Sequence, residues 1–550
     1  MASGPSAPEP ASTQAASRPE IGGRYARYVL AVLVLVYIFN FVDRQILSIL
    51  ADEIKADIGV SDAQLGFLYG TVFAVFYAVF GIPLGRFADV WVRKSLISVG
   101  LLFWSVMTAL SGTARSFLTL GTYRIGVGVG EASATPAAFS LLSDYFSPSQ
   151  RATVLAIYSS GVYIGAGIGI FLGGWIVDGW SAAFPEGNAP LGIRGWQAAF
   201  FAVGLPGILM AIWVWMLREP VRGQSEGITA SAPHPHPFRE LARELAAVLP
   251  PLTLRTLLRA GAGSRGIAIN LSFAAGIAAL AWLLIGLLGS PEQWIALGVA
   301  VYAALSWAQG LALRDPPTFT MIFRSRALMY SCLAFPCIAF VTYGIGFWGA
   351  PFFLRVHGVS ASEAGTFLGL GAALGGWIGV TLGGTLSDRL KRRHPRARLY
   401  LGFATVVLSV PVALGLLTTD NLALAYSLNF VFAIVSPLWI GGAASLVNEL
   451  VLPRMRGTAS AFYILMITFI GLALGPYSMG QLSDALASRG MSSGDALRTS
   501  MMFGLSPFAL TALFLWLAAR HVEAEETSRM ERASAAGEQV AVPSPALSQS

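Results

Sequence analysis

Charge is scarce in this chain of 550 residues: 12% is Asp, Glu, Lys or Arg, against 55% hydrophobic residues. Soluble domains carry about twice that charged share, so a water-soluble globule is excluded. Cysteine is almost absent, with two in all. Cys332 and Cys337 lie five apart in one apolar run, on different faces, so neither a disulfide framework nor a metal set follows. They read as two buried, small apolar side chains. The five histidines fall in tails, linkers or loops. No nucleotide-binding loop, metal-ligand cluster or Ser/His/Asp set is present, which leaves an enzyme without a basis. The first 24 residues have no apolar core, so no cleavable secretory signal is expected. They and the polar stretch after residue 523 read as disordered tails. The net charge of +7 would suit nucleic acid, but the basic residues are scattered through short loops. That is the positive-inside pattern of a membrane protein, and no nucleic-acid partner is expected.

Apolar runs of about 20 residues fill the chain instead, each long enough to cross a bilayer as a helix. Spans are predicted near 27–50, 63–84, 96–114, 117–143, 151–178 and 196–217. Two more lie near 267–289 and 293–313, and six near 327–353, 363–387, 399–417, 422–449, 456–482 and 497–520. Glycine inside these runs suits helices packed closely in lipid. The fold class predicted is an all-α polytopic membrane protein with 14 helices. It divides into a six-helix bundle over 25–220, a linker over 221–326 holding an inserted hairpin at 267–313, and a second six-helix bundle over 327–522.

The two bundles repeat one another. "GRFADVWVRK" (Gly85 to Lys94) follows the second span, and "GTLSDRLKRR" (Gly384 to Arg393) stands at the matching place in the second half. "DYFSPSQRATVLAIY" (Asp144 to Tyr158) likewise echoes "ELVLPRMRGTASAFY" (Glu449 to Tyr463). A six-helix unit repeated in parallel is a transporter architecture with its site between the halves. Loops carrying Arg86, Arg93 and Lys94, then Arg389 to Arg398, then Arg454 and Arg456, fall on one face, which is expected to be cytoplasmic. Arg265 before the extra pair and Arg314, Arg324 and Arg326 after it make that pair a hairpin beginning and ending on this face. Two buried or interfacial helices are the alternative.

On these motifs the sequence resembles the major facilitator superfamily over residues 25 to 220 and 325 to 522. Its first half is similar to the spinster family through "NFVDR" (Asn40 to Arg44), "GRFADVWVRK" and "RIGVGVGEAS" (Arg124 to Ser133). The second half shows no comparable spinster signature.

An ionised side chain at a helix centre costs about 2.5 to 3.5 kcal/mol even on the most lenient scale. Asp43 is nevertheless some 16 residues into the first span, and Asn40, Asp43 and Leu47 share a face. Asp43 either contributes to a functional polar stripe or pairs with Arg44 or a neighbouring helix to fix packing. Arg44 is its neighbour's partner or turns to a different face, since adjacent positions diverge by about 100°. Arg124 and Glu131 are two turns apart on the fourth span with Gly128 between them, which leaves room for close approach. Burial and a nearby cation act on Glu131 in opposite senses, which makes its ionisation easy to switch. Asp43 and Glu131, facing each other, would titrate as a pair. The spinster resemblance implies Asp43 and Glu131 as proton carriers, with Arg124 as their partner or as a ligand for an anionic headgroup. A purely structural ion-pair network is the alternative.

The motif loops imply gating. By the resemblance, Gly85, Asp89, Arg93 and Lys94, with Gly384, Asp388 and Arg392, hold helix ends together in one state and release them in the other. Asp144 with Arg151, and Glu449 with Arg456, read as companion pairs, or else as solvated loop charges worth little. In the fifth span Gly161, Gly165, Gly169 and Gly173 form a close-packing stripe. The second half has almost no mid-membrane charge. Its candidate cavity residues are Tyr343, Phe347 and Trp348 in the first span of that half and Asn429 in the fourth, with Tyr343 and Phe347 four apart as an aromatic wall. The segment Pro237 to Arg259 has apolar residues at helical spacing, suited to lying along the membrane surface or to serving as a plain connector.

The expected function is proton-coupled secondary transport by alternating access. The resemblance implies an amphipathic, lipid-like substrate such as a lysophospholipid or sphingoid phosphate. A soluble organic anion (a sugar acid or aromatic acid) or a drug-exporting role is the alternative. No cofactor or metal is expected, the proton gradient being the energy source. The partners are protons, a small-molecule or lipid substrate and membrane lipids. A monomer in a bacterial inner (plasma) membrane with both termini cytoplasmic is the expectation.

Overall fold

The structure, a computed structural model, describes residues 21–185, 188–226 and 235–538. Among them are fourteen helices long and apolar enough to cross a membrane. The first bundle comprises α1 (Arg24–Ile49), α2 (Asp62–Val90), α3 (Arg93–Ser111), α4 (Phe117–Tyr145), α5 (Thr153–Ala183) and α6 (Gly195–Trp215). The hairpin is α7 (Gly263–Leu288) and α8 (Pro291–Arg314). The second bundle comprises α9 (Arg326–His357), α10 (Ala361–Lys391), α11 (Ala397–Thr418), α12 (Leu422–Glu449), α13 (Pro453–Ala487) and α14 (Ser493–Thr527). Every predicted span has its helix.

The polar tail predicted from residue 523 is corrected. α14 continues to Thr527, and a further helix covers Arg529–Ala535. Its polar residues dock under the second bundle. The Glu525 carboxylate accepts from Arg326 N (3.0 Å), Ala327 N (3.3 Å) and the Ser325 hydroxyl, capping the start of α9. Arg529 and Arg532 donate to the carbonyls of Glu449 and Leu450 at the end of α12. Arg454 reaches Asp315 (2.7 Å) and holds its carboxyl down at about 2. The N-terminal tail, residues 1–20, lies outside the described residues.

The repeat is visible in the backbone. α2 and α10 each contain a π-helical turn, at Phe67–Thr71 and Gly371–Gly375. α4 breaks after Glu131, and α12 breaks after Val435. An extra residue in a helical turn, or a break, re-aims side chains and frees backbone groups, so such features cluster at functional sites.

Glycine sets the closest approaches. On α5 a Cβ at Gly165 would sit 2.5 Å from the Ile38 carbonyl of α1, and one at Gly169 would sit 2.9 Å from that of Val42. The α5 stripe therefore packs on α1, as its spacing predicted. Gly165→Val is expected to cost roughly 1–3 kcal/mol of overpacking, read as a lower thermal-unfolding midpoint of the detergent-purified protein. Gly179→Ala, whose Cβ would meet nothing within 4 Å, should leave that midpoint unmoved.

The linker forms two helices, Pro237–Val248 and Leu252–Arg259. The first lies on α2, with Phe238 5.5 Å from the rings of Phe87 and Trp91. The second packs its buried Leu257 near Gly310 of α8. α7 then runs to a tip at Gly289–Ser290, and α8 returns, so the hairpin starts and ends at the end of the molecule that carries the basic loops.

Candidate functional site

The two bundles enclose a cavity of about 1170 Å³, lined by α1, α2 and α5 on one side and α9, α10, α12 and α13 on the other. It extends to Thr153, Gly384, Thr385 and Asp388 at the basic end. Its lining is apolar and aromatic, with Phe41, Phe73, Tyr77 and Tyr163 facing Tyr343, Trp377 and Phe432. Arg44, deep in the cavity, and Asp388, at its mouth, are the charged groups among the described lining residues.

Arg44 resolves the ambiguity left by sequence. It turns away from Asp43 and donates to Glu131 Oε2 at 3.0 Å, where the carboxylate is fully buried and the guanidinium mostly so. The guanidinium also lies over the rings of Phe73 (3.7 Å to the centroid) and Phe41 (4.7 Å). Cation–π contacts of this kind are worth about 2 kcal/mol when desolvated, so the aromatic floor helps hold a cation that apolar lipid would reject.

Arg124 is placed differently from the expectation that it partners the carboxylates. Its Nη1 donates to the backbone carbonyl of Asp43 at 3.0 Å, and it forms no ion pair with Glu131 among the described residues. Two turns of helix, about 10 Å of rise, separate it from Glu131 on the same element, whereas Arg44 reaches across from α1. Asp43 is buried and points away from the cavity, towards Trp104 and Thr108 of α3. Asp43 Oδ1, Glu131 Oε1 and the Nε and Nη2 atoms of Arg124 have no hydrogen-bond partner among the described residues. Asn40 lines the cavity beside this group.

Of the four candidate cavity residues in the second half, Tyr343 and Asn429 line the cavity, and Phe347 and Trp348 do not. Both are fully buried. Phe347 stacks on Tyr69 at 4.5 Å, and the Trp348 indole donates to the Pro476 carbonyl at 2.8 Å. Phe347 lies one turn along α9 from Tyr343, but the cavity continues past it along Gly346, Gly349 and Ala350, and the Phe347 ring turns onto Tyr69 at the side where the bundles close. There Ser48 Oγ donates to the Phe347 carbonyl (2.5 Å) and Gln45 Nε2 to that of Gly346 (3.3 Å).

That closed end holds residues the sequence reading missed. Arg355 of α9 makes paired bonds to Asp62 (2.7 and 3.0 Å) and bonds to Asp52 (2.5 and 2.9 Å), crossing between bundles. Lys55 adds 2.6 Å to Asp62, and the Asp484 carboxylate accepts from the backbone N–H groups of Asp62 and Ala63. Glycines let the backbones touch: a Cβ at Gly70 would fall 2.3 Å from the Leu472 carbonyl, and one at Gly174 2.1 Å from that of Ala361. Among the described residues, the hydrogen bonds joining the two bundles all lie in this half. The structure is thus closed here and open at the basic end.

The loop motifs form clamps inside each bundle. Buried Arg93 binds Asp144, Glu219 (2.8 Å) and Ser140, tying α3 to α4 and to the chain after α6. Lys94 donates to the carbonyls of Trp215 and Leu217. In the second bundle Arg398, not Arg392, repeats this arrangement: it binds Glu449 at 2.6 Å and lies 3.8 Å from Asp388. The expected pairs Asp144–Arg151 and Glu449–Arg456 do not form. Arg93 and Arg398, each from the start of the preceding span, occupy those carboxylates. Arg151 goes to Glu226 (2.6 Å) and Arg456 to the Asn448 carbonyl. Asp89, Asp388 and Arg392 are exposed at the open end, Gly85 lies near Pro136, and Gly384 lines the cavity mouth.

Comparison with known proteins accords with this geometry. A family model described as Major Facilitator Superfamily matches residues 33–476. Over 466 residues the chain is 26% identical to an MFS-type efflux pump of Mycolicibacterium smegmatis, covering 84% of this chain and 86% of that one. Over 543 residues it is 25% identical to human protein spinster homolog 1, covering 94% and 86%. A crystal structure of a bacterial homologue of the human lysosomal transporter spinster, inward-facing and unoccupied, superposes with a TM-score of 0.66 at 27% identity, covering 92% and 98%. A bacterial homologue of the human drug peptide transporters PepT1 and PepT2 shares the fold, with a TM-score of 0.55 at 14% identity.

Proposed function

Since the chain belongs to the Major Facilitator Superfamily and is a membrane transporter related to the spinster proteins, we propose that it couples proton uptake to the movement of an amphipathic anion. The observation that carries this reading is the Arg44–Glu131 pair: one cation on the wall of an otherwise apolar and aromatic cavity, neutralised by a carboxylate behind it. While Glu131 is ionised, Arg44 is occupied. When Glu131 takes a proton, Arg44 loses its anionic partner at an apolar site, and an anionic headgroup from the cavity replaces it. Proton uptake and anion binding then favour each other, and by linkage the coupling is reciprocal. The rest of the cavity suits an apolar tail. A lysophospholipid or sphingoid phosphate has this shape.

Asp43 is the second proton carrier in this reading, joined to the pair through Arg124 and the α1 backbone. The basic end is the cytoplasmic one, and the two bundles rock about the cavity, with Arg355, Asp52 and Asp62 as the outer gate and the Arg93 and Arg398 clamps keeping each bundle rigid. A second reading, export of a drug, is favoured by the similarity to the efflux pump.

The test is ligand-induced thermal stabilisation of the purified protein. Lysophospholipids and sphingoid phosphates are set against sugar acids, aromatic acids and cationic drugs. Stabilisation by the phosphate-bearing lipids, lost in Arg44→Gln by tenfold or more in apparent affinity, is the expected outcome. Stabilisation by soluble acids alone, or by cationic drugs with no effect of Arg44→Gln, would overturn it.

A further inference from the structure

The inserted hairpin has a position that transport by two six-helix bundles does not require. α8 lies along the seam where α2 of the first bundle meets α13 of the second. Ala300 is fully buried there, against Val75 of α2 and Phe469 of α13, with Leu297, Val301 and Ala304 on one side and Val79 and Leu465 on the other. Polar contacts fasten the tip to both bundles. Thr71 Oγ1 lies 2.6 Å from Gln293 Oε1 and 2.9 Å from the Ala473 carbonyl, so its single proton serves α8 or α13, one acceptor at a time. Gln481 of α13 donates to the Leu288 carbonyl at 2.7 Å and accepts from Ser290. Trp294 packs edge-on against Tyr477 at 5.6 Å. These contacts set where the tip of the hairpin sits against α2 and α13.

α2 and α13 show opposite faces to the hairpin and the cavity. Phe73 and Tyr77, then Ile464, Thr468 and Leu472, line the cavity, whereas Val75, Val79, Leu465 and Phe469 face α8. Towards the basic end the helix Pro237–Val248 continues the wall along α2. Among the described residues no helix covers the opposite seam, between α5 and α10. It is sealed by the Gly167–Gly369 and Gly174–Ala361 contacts near the closed end. Towards the basic end Ile157, Ser160, Trp377 and Thr381 line the cavity, and Ile157 and Trp377 remain 46% and 51% exposed.

We propose that the hairpin is a plug for one lateral seam: α8 takes the place of lipid along α2 and α13, so that membrane lipid reaches the cavity wall only between α5 and α10. This concerns which seam lipid can reach and does not depend on what the protein carries.

The test is photocrosslinking of the full chain in phosphatidylcholine liposomes, with p-benzoylphenylalanine placed at Phe469 or at Trp377 and adducts identified by mass spectrometry. Position 469 should crosslink to α8 peptides and position 377 to phospholipid, with phospholipid adducts at 469 at least tenfold fewer than at 377. Adding Gln293→Leu and Gln481→Leu should raise the adducts at 469 several-fold. Val79 reports the same seam from the other bundle should the label at 469 prevent insertion. Comparable phospholipid adducts at 469 or 79 and at 377, no crosslink to α8 from either seam position, or no phospholipid adduct at 377 would each overturn the proposal.

Discussion

Glu131→Gln is expected to leave the protein folded and able to bind its anion, while abolishing accumulation driven by a pH gradient. Glutamine matches the shape of the carboxylate but cannot ionise, so it removes the competitor for Arg44 without opening a cavity. Breaking a buried ion pair from one side costs about 3–5 kcal/mol where the remaining charge is trapped. Here Arg44 keeps its contacts with Phe73 and Phe41 and borders the cavity, so the cost falls below that and the fold survives. One pH unit corresponds to 1.36 kcal/mol per proton. A carrier moving one proton per substrate, relayed through both carboxylates, therefore sustains about tenfold accumulation across a gradient of one unit, and the variant, with the relay broken, should sustain about onefold. Anion affinity in the variant should also lose its pH dependence, because the protonated state it mimics is permanent. Asp43→Asn should lose accumulation as well but keep the Arg44–Glu131 pair, since the Asp43 carbonyl that receives Arg124 remains. Uptake by proteoliposomes, with and without an imposed gradient, decides the matter. Wild-type accumulation in both variants would sink the proposed coupling.

The fourteen spans were legible because lipid imposes one requirement, sustained apolarity, that composition meets directly. The repeat was legible because its basic loops recur at matching places. What a single sequence lacks is the rotation of one helix relative to the next. The spacing from Asn40 to Asp43 put them on one face, but could not say that this face meets α3 at Asp43 and the cavity at Asn40. Nor could it say that Arg44 crosses to Glu131 while Arg124 stops at a backbone carbonyl. Tyr343 and Phe347 are a turn apart by spacing, yet the cavity runs on along Gly346, Gly349 and Ala350 while the Phe347 ring packs on Tyr69, a rotation that spacing could not give. The α5 glycines, by contrast, were read correctly, since a residue without a side chain on a membrane helix has few uses apart from close approach.

Arg355 shows the same limit, and its replacement carries the other large expected effect. An arginine at the end of a span, beyond two prolines and near a glycine turn, looks like any charge at a membrane boundary. In the folded protein its side chain is 8% exposed and bound to Asp52 and Asp62 of the other bundle. Arg355→Gln leaves those two carboxylates with Lys55 alone, and leaves Asp62 buried beneath Ser483 and beside Asp484. The closed end should lose about 3–5 kcal/mol relative to a state in which water reaches both aspartates. A shift of that size changes a two-state ratio by more than a hundredfold. It should be visible as faster labelling of Ser48→Cys, a buried position just inside the closure, by a membrane-impermeant maleimide in a background lacking Cys332 and Cys337. An increase of at least tenfold is expected for Arg355→Gln. A smaller increase is expected for Arg355→Gln combined with Asp52→Asn and Asp62→Asn, because neutral partners regain hydrogen bonds without stranding charge. That ordering separates a gate from a structural pair. Loss of a merely structural contact would lower the unfolding midpoint of the single variant with no change in labelling rate, and that result would remove Arg355 from the transport cycle.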